Sequence, residues 1–216
     1  MIQSVDPDHA AGEPWCRDSK GNSFRFDDFA TNAKAFHGYA APGLLIGGRM
    51  VALALSTLRN ASFFDAICET SKCLPDAVQM MTPCTLGNGW LKIFPLGRFA
   101  LSLYDKANGC GIRVCVDPSR LSSWPEIESW FFKKKKKTDQ DGDRLIDEIR
   151  RSADALYKVE KVEVRQDLLK KKSLGARRIC RECGESYPAA HGPVCRACSG
   201  GSPYRPSVGL GFRMIG

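Results

Sequence analysis

The sequence lacks the features that mark an exported or membrane-spanning protein. The N-terminal stretch MIQSVDPDHAAGEPW has no basic start, no apolar run and no small-residue cleavage site of a secretory signal. The longest apolar stretch, residues 44–58, is interrupted by Arg49 and by glycines, so it falls short of the apolar span of about 20 residues that a membrane helix needs. We expect a cytoplasmic protein with no membrane partner.

Motifs of familiar catalytic centres are also scarce. The chain has three histidines, and none of them completes a Ser-His-Asp or Cys-His arrangement with a convincing third member. The glycine-bearing stretch TPCTLGNGW lacks the Lys-Ser/Thr ending of a phosphate-binding loop. The residues alone therefore predict neither a catalytic triad nor a nucleotide site.

Cysteine, by contrast, is plentiful. Ten cysteines in a chain expected to be cytoplasmic favour metal or redox chemistry over disulfides. Hydrophobic residues make up 43% and charged residues 26% of the 216 residues, which is ordinary for a folded protein. This length allows one ample domain, or one domain with a small module.

Positive charge is concentrated in the C-terminal part of the chain. Residues 1–132 carry 12 Lys and Arg against 13 Asp and Glu, whereas residues 133–216 carry 20 against 11. Such asymmetry is found in proteins that contact nucleic acid or another acidic partner. Five of those charges, however, form the single run Lys133–Lys137, which is most often a solvated loop. Nucleic acid therefore stays open as a partner, and we do not favour it.

The N-terminal half of the chain has mainly helical patterns. Residues 1–26 are polar and predict a loose N-terminal arm, with Trp15 and Phe24 available to dock on the body. Helical spacing predicts a short helix near residues 26–35 and a buried helix from Gly43 to Leu58, whose small residues permit close approach of another backbone. Another short helix is predicted after Pro75, with Asp76 as a helix-start residue.

Strand patterns follow. Four segments have the apolar content or alternation of β-strands: Phe63–Glu69, Leu91–Pro95, Arg98–Asp105 and Gly111–Asp117. Asn108-Gly109 predicts a hairpin turn. A helix at residues 122–132 and a charged linker lead to an amphipathic helix at 143–157 and an edge strand at 159–165. Helices packed on a mainly antiparallel sheet predict an α+β core.

The strongest motif lies near the C-terminus. Two C-x2-C pairs, Cys180/Cys183 and Cys195/Cys198, are separated by eleven residues. Each pair forms a knuckle whose thiolates point at one ion, and two knuckles complete the tetrahedral shell that Zn²⁺ accepts. An iron centre of the rubredoxin type, redox-active pairs, or His191 as a ligand are the alternatives. Four thiolates close the shell, which predicts a structural zinc.

Three ordered motifs resemble a known family. They are His37-Gly38-Tyr39-Ala40-Ala41-Pro42-Gly43, Glu69-x3-Cys73-x2-Asp76-Ala77-Val78-Gln79 and Thr82-Pro83-Cys84-Thr85-Leu86-Gly87-Asn88-Gly89. With the cysteine pairs, they resemble the FmdE/FwdE family of formylmethanofuran dehydrogenase components. The resemblance implies an α+β core of the type shared with the catalytic domain of glyceraldehyde-3-phosphate dehydrogenase, with a small zinc domain appended.

The expected domain organisation has four parts. They are an N-terminal arm at residues 1–26, an FmdE-like core at 27–172, a zinc-binding module at 173–203 and a tail at 204–216.

The first motif departs from the family pattern. The family carries His-Gly-His-x-Cys-Pro-Gly, whereas here Tyr39 and Ala41 replace the second histidine and the cysteine. What remains is His37 with Cys84 and Cys73, an imidazole and thiolate set that suits Zn²⁺ or a similar transition-metal ion. The alternative is that His37 is a hydrogen-bonded turn residue and the cysteines are buried packing residues. The other cysteines outside the two pairs are expected to pack only: Cys16, Cys68, Cys110 and Cys115.

Three functional hypotheses result. The first is a metal-binding accessory protein with a structural zinc, associated with molybdenum or tungsten formylmethanofuran-type enzyme subunits or acting alone. The resemblance brings no active site, because the molybdopterin chemistry of that complex is attributed to other subunits. The second hypothesis is nucleic-acid recognition by the basic zinc end, and the third is a small metal-dependent enzyme that uses His37 and Cys84. The apolar segment after His37 and the edge strand near Val162 predict a homodimer.

Overall fold

Six helices are present in the part of the chain that the structure describes. The structure is a computed structural model, and it describes residues 13–58, 63–170 and 175–204. The helices are α1 (Phe26–His37), α2 (Pro42–Thr57), α3 (Leu74–Met81), α4 (Pro125–Phe131), α5 (Gly142–Ser152) and α6 (Gln166–Leu169). Short 3-10 turns lie at Pro118–Ser123, Lys137–Asp139 and Ala189–His191, and a π-helical turn lies at Ala197–Gly201.

The strands form a five-stranded sheet and two small hairpins. The strands are β1 (Cys16–Arg17), β2 (Ser23–Phe24), β3 (Phe64–Cys68), β4 (Leu91–Ile93), β5 (Ala100–Asp105), β6 (Cys110–Val116), β7 (Tyr157–Glu163), β8 (Arg177–Ile179) and β9 (Ser186–Pro188). The large sheet has the order β4-β3-β5-β6-β7, while β1 pairs with β2 and β8 with β9. Only the β3–β4 pair of this large sheet is parallel. The α+β class with a mainly antiparallel sheet is confirmed.

The chain divides into two compact units. They are Met1–Leu169 and Lys170–Gly216, which we call the core unit and the finger unit. Of the predicted tail at residues 204–216, all but Tyr204 lies outside the described residues. In the described ranges no single helix has both the length and the apolar composition to cross a membrane, and the bent pair of α1 and α2 meets those criteria only jointly.

Helix α2 lies at the centre of the core unit. Nine of its residues are buried, including Leu44, Leu45 and Ile46. Its glycines face side chains of neighbouring helices, because a Cβ on Gly48 would lie 2.2 Å from the Phe29 ring of α1. A Cβ on Gly47 would lie 2.9 Å from the Cβ of Ala77 on α3. The sequence predicted close approach of another backbone, whereas the atoms nearest to these glycines belong to side chains.

The structure differs from the predicted loose arm at residues 13–26. Trp15 and Cys16 are buried in the core cluster. The Trp15 ring lies 5.0 Å from the Phe26 ring and 5.5 Å from the Phe29 ring. Arg49, the one charge in α2, donates a hydrogen bond to the Trp15 carbonyl. Trp15 therefore docks on the core, as predicted. A large aromatic ring buries enough apolar surface to hold the segment in place. Residues 1–12 lie outside the described residues.

The amphipathic helix predicted at 143–157 is shorter than its pattern indicates. Helix α5 ends at Ser152, and Ala153 has a φ of 41°. Tyr157 instead begins β7, where it pairs with Val116 and donates a hydrogen bond to the Ile46 carbonyl at 3.3 Å. Burial raises the pKa of this tyrosine. The helix ends early because tertiary contacts of Tyr157 outweigh its fit to the helical spacing.

Candidate metal centre

The four C-terminal cysteines are carried by two short elements of the finger unit. Cys180 and Cys183 lie in the turn that joins β8 to β9, and Cys195 and Cys198 lie at the start of the helical turn Ala197–Gly201. Gly184 follows the first pair with a φ of 75°, and its N–H donates to the Cys180 carbonyl at 2.8 Å. This left-handed conformation favours glycine, so the local sequence alone closes the first knuckle.

The sulfur atoms of these cysteines converge on one point. All four Sγ atoms lie within 4.8 Å of one another, and the Sγ atoms of Cys183 and Cys195 are 3.7 Å apart. A tetrahedral ion with Zn–S bonds of about 2.3 Å separates its sulfurs by about 3.8 Å. The donor set therefore fits Zn²⁺ in chemistry, number and spacing.

Backbone N–H groups support the same arrangement. The N–H of Cys195 donates to the Cys180 sulfur at 3.4 Å, and the N–H of Cys198 donates to the Cys195 sulfur at 3.4 Å. The bond from Cys195 is the main reason why the pKa of the Cys180 thiol falls to about 6. Such bonds stabilise thiolate, which is the form that binds metal. His191 lies in the turn Ala189–His191 and is not in the converging group.

Two arginines of the finger unit, Arg177 and Arg181, bond to other residues of the same unit. Arg177 donates to the hydroxyl and the carbonyl oxygen of Ser186, both at 3.0 Å. Arg181 pairs with Glu182 at 3.4 Å. Nucleic-acid binding by the basic zinc end stays a prediction.

Cys84 contacts the start of β3 in the core unit. Its sulfur is buried and donates a weak hydrogen bond to the Phe64 carbonyl at 3.5 Å. Burial raises the pKa of the Cys84 thiol to about 11. Cys84 thus packs against the start of β3, as the alternative prediction has it.

His37 has a different neighbour from the one predicted. Its Nδ1 atom lies 2.6 Å from Oδ2 of Asp76, which is in the first turn of α3. Cys73, the N-cap of that helix, lies beside α2, because a Cβ on Gly43 would be 3.2 Å from its sulfur. Cys73 has a φ of 53°, and burial raises the pKa of its thiol.

The predicted second metal set is not assembled. In the described ranges, Cys180, Cys183, Cys195 and Cys198 make the one group of three or more His, Cys, Asp and Glu ligands that converge. His37, Cys73 and Cys84 form no such group. The sequence did not predict the His37–Asp76 contact, because an aspartate in the first turn of a helix is already expected from its favourable interaction with the helix dipole. Asp76 does lie in the first turn of α3, as predicted. Its contact with His37 depends on the packing of α1 against α3.

Comparison with known proteins decides the family. A family model described as "FmdE, Molybdenum formylmethanofuran dehydrogenase operon" matches residues 36–166. The chain belongs to the FmdE family. A second model, the FmdE treble clef zinc finger, matches residues 171–205, which contain all four converging cysteines. This FmdE protein therefore has a zinc-finger domain with a four-cysteine metal-binding cluster.

A solved structure and a curated relative are similar to this FmdE chain. The crystal structure is that of an FmdE-like protein of the tungsten formylmethanofuran dehydrogenase type from Syntrophus aciditrophicus. It is 45% identical with a TM-score of 0.79, and the match covers 88% of this chain and 99% of that one. The relative is the "Probable S-adenosyl-L-methionine-binding protein" of Archaeoglobus fulgidus, 29% identical over 202 residues. The match covers 83% of this chain and 54% of the relative, so the chain spans about half of that protein's length.

The two departures from the family motif have different surroundings. Tyr39 is 52% exposed, and its ring lies 5.1 Å from the His37 ring. The Nζ atom of Lys137 lies 5.6 Å from the centroid of the Tyr39 ring. Ala41 is buried as the N-cap of α2. In this FmdE chain, the His37 turn therefore presents an imidazole and an aromatic ring, and the amine of Lys137 lies beside that ring.

Proposed function

We propose that this FmdE protein is a metal-binding accessory protein whose four C-terminal cysteines hold one structural Zn²⁺ and whose core unit has no catalytic centre of its own. The observation that carries the proposal is the convergence of the four Sγ atoms within 4.8 Å. Four thiolates fill the tetrahedral shell of Zn²⁺, and a filled shell has no position for a substrate. The bound ion would stabilise the finger unit, whose own buried cluster is small.

Metal analysis of purified variants tests the zinc site. We expect one zinc per chain in the wild type and loss of that zinc in Cys183→Ser, because three thiolates leave the shell incomplete. Cys110→Ser is the matched control, since Cys110 is an exposed free cysteine of the core unit. A wild type without zinc, or a Cys183→Ser variant with its full zinc content, would contradict the proposal.

The proposal includes partners and a location. The matching family model and the Syntrophus aciditrophicus protein are both named for formylmethanofuran dehydrogenase, which supports association with molybdenum or tungsten enzyme subunits of that type. We also propose a homodimer. All ten cysteines are free, which supports a reducing compartment such as the cytoplasm.

A second candidate function is a further transition-metal site that uses His37. The observation that favours it is the bond between Nδ1 of His37 and Asp76 at 2.6 Å. Metal-binding histidines commonly use one ring nitrogen for the ion and bond a carboxylate with the other, which fixes the ring. Nε2 of His37 has no hydrogen-bond partner in the described part of the chain and would be the ligand atom.

The same metal analysis tests this candidate. A second metal site predicts two metals per chain in the wild type and one in His37→Ala. Equal zinc content in the two proteins, all of it lost in Cys183→Ser, would rule the second site out.

A further inference from the structure

Strand β7 is a long strand at the edge of the five-stranded sheet. It has seven residues and pairs on one side with β6. The opposite edge strand, β4, has three residues. Natural sheets protect their edges because unpaired backbone groups pair readily with another strand. Whether another strand can be added to this sheet therefore depends on the backbone groups and side chains on the outer side of β7.

Two hydrogen bonds at the ends of β7 show which residues face outward. The N–H of Val164 donates to the Gly109 carbonyl at 2.9 Å, and the N–H of Asp117 donates to the Leu156 carbonyl at 2.8 Å. In an antiparallel ladder these bonds flank the non-hydrogen-bonded pairs, so Cys110↔Glu163 and Val116↔Tyr157 are pairs of that type.

The alternation of the ladder then assigns the central residues of β7. Lys158, Glu160 and Val162 direct their N–H and C=O groups toward β6. Val159 and Lys161 direct theirs away from the sheet, and these groups have no hydrogen-bond partner in the described residues. Free pairs of backbone groups thus lie at Val159 and Lys161, on either side of the centre of the edge.

The side chains of this edge combine four charged residues with an exposed apolar one. Val159 is apolar and 40% exposed. Its neighbours Lys158 and Glu160 lie on the opposite face of the sheet from it, and their side chains are 2.7 Å apart. An exposed valine between two opposite charges can match a copy of itself that runs in the opposite direction.

We propose that β7 pairs antiparallel with β7 of a second copy of this chain, with Val159 on the twofold axis. In this register Val159 meets Val159 of the partner subunit, and the two residues exchange backbone hydrogen bonds. Lys158 lies opposite Glu160 of the partner subunit, and the same contact repeats across the axis. This inference rests on the homodimer proposed above and names its surface.

Neighbouring registers are less favourable on charge. Centring the pair on residue 160 places two Glu160 carboxylates opposite each other, and centring it on residue 161 does the same with two Lys161 amines. Like charges directly opposite destabilise a strand pair, whereas opposite charges stabilise it. The register centred on Val162 also gives an apolar contact at the axis with an opposite-charge pair on each side, formed by Lys161 and Glu163. Val162, however, directs its backbone groups toward β6, so only the register centred on Val159 places a free pair of backbone groups on the axis together with this charge pattern.

A charge-swap series tests this surface. The molecular mass of the full-length protein is measured by light scattering over a dilution series for the wild type, Lys158→Glu, Glu160→Lys and the double variant. We expect a dimer for the wild type, and a dimer dissociation constant raised by about tenfold in each single variant, because each creates two like-charge contacts. The double variant restores opposite charges across the axis and should recover the dimer; Arg113 loses its bond to Glu160 in it but stays paired with Glu69. Glu163→Lys is the matched control, because residue 163 lies beyond the overlap.

The outcomes distinguish failure of the proposed β7 surface from failure of the proposed homodimer. A wild type that is monomeric throughout overturns both. A dimer that Lys158→Glu, Glu160→Lys and Glu163→Lys all leave unchanged overturns the β7 surface and leaves self-association standing. A dimer that Glu163→Lys alone weakens overturns the register centred on Val159. A folded double variant that stays as weak as the single variants overturns the register, and circular dichroism of every variant establishes that it is folded.

Discussion

At the residue scale, Gly48 shows how one missing side chain fixes the packing of two helices. Its Cα faces the Phe29 ring so closely that an added Cβ would lie 2.2 Å from one ring carbon and 2.4 Å from the next. Phe29 is 1% exposed and also packs against Trp15, so it has little room to move. The helices α1 and α2, and the turn with His37 between them, therefore depend on glycine at this position.

We predict that Gly48→Ala destabilises the core unit. Overpacking in a filled core costs about 1–3 kcal/mol, and the better helix propensity of alanine returns about 1 kcal/mol. Because the added Cβ would lie only 2.2 Å from the ring, we expect the upper end of that cost, so the free energy of unfolding, measured by urea denaturation, should fall by about 2 kcal/mol. Gly142→Ala is the control, because a Cβ at this first residue of α5 has nothing within 4 Å. Equal stability of Gly48→Ala and the wild type would show that Phe29 can shift.

At the element scale, charged side chains connect strands that are not neighbours. Glu69, directly after β3, accepts two hydrogen bonds from Arg113 on β6, at 2.6 and 3.0 Å. Arg113 also donates to Glu160 on β7 at 2.7 Å, and Arg98 pairs with Glu69 at 2.6 Å. Glu69 is buried, and the hydrogen bonds from Arg113 lower the pKa of its carboxyl. The end of β3 is thus fixed to the far side of the sheet.

We predict a pH-dependent contribution from Glu69. Because its pKa in the folded state is lowered, the stabilisation is present above the unfolded pKa of about 4.3 and is lost as the pH falls through the folded pKa. Glu69→Gln should therefore cost about 2 kcal/mol of unfolding free energy near pH 7, and the difference from the wild type should shrink in acid. Urea denaturation at several pH values measures it. Glu163→Gln is the matched control, because Glu163 is exposed at the end of β7 and its replacement should leave the unfolding free energy near pH 7 unchanged. A pH-independent difference between Glu69→Gln and the wild type would contradict the assignment.

At the scale of the whole molecule, the two units have separate hydrophobic clusters. The core unit contains the large cluster around α2, and the finger unit contains Cys180, Tyr187 and Cys195. All four tryptophans, Trp15, Trp90, Trp124 and Trp130, belong to the core unit. Tryptophan fluorescence therefore reports on the core unit alone, and this makes the two units separable by experiment.

We predict that zinc removal unfolds the finger unit and spares the core unit. Small zinc domains take most of their folding free energy from the metal, whereas the core unit is stabilised by burial of apolar surface. After chelation, the thermal transition followed by tryptophan fluorescence should be unchanged, while protease cleavage within the finger unit should become fast. Zinc added back in excess should reverse the cleavage. A tryptophan transition that shifts together with zinc loss would show that the core unit depends on the metal.

The sequence by itself determined the features that depend on short spacing. The two C-x2-C pairs and Gly184 define their knuckles within a few residues, so the four-cysteine cluster could be predicted from the chain alone. The alternation of β5 and β6 and the Asn108-Gly109 turn likewise define a hairpin locally. The mainly antiparallel α+β core follows from such local patterns and from their order.

Only the tertiary structure decided which distant residues meet. Asp76 is 39 residues from His37, and their contact arises because α1 packs against α3 and both helices pack on α2. The resemblance to the family motifs predicted that Cys84 would lie with His37. The thiol of Cys84, in the segment that leads to β4, is instead buried against Phe64. Tyr157 likewise fits the helical spacing but lies in β7, because its pairing with Val116 and its bond to the Ile46 carbonyl are tertiary contacts. Local propensities amount to fractions of a kcal/mol per residue, whereas burial of a large side chain contributes about 1.5–3 kcal/mol, so packing prevails wherever the two disagree.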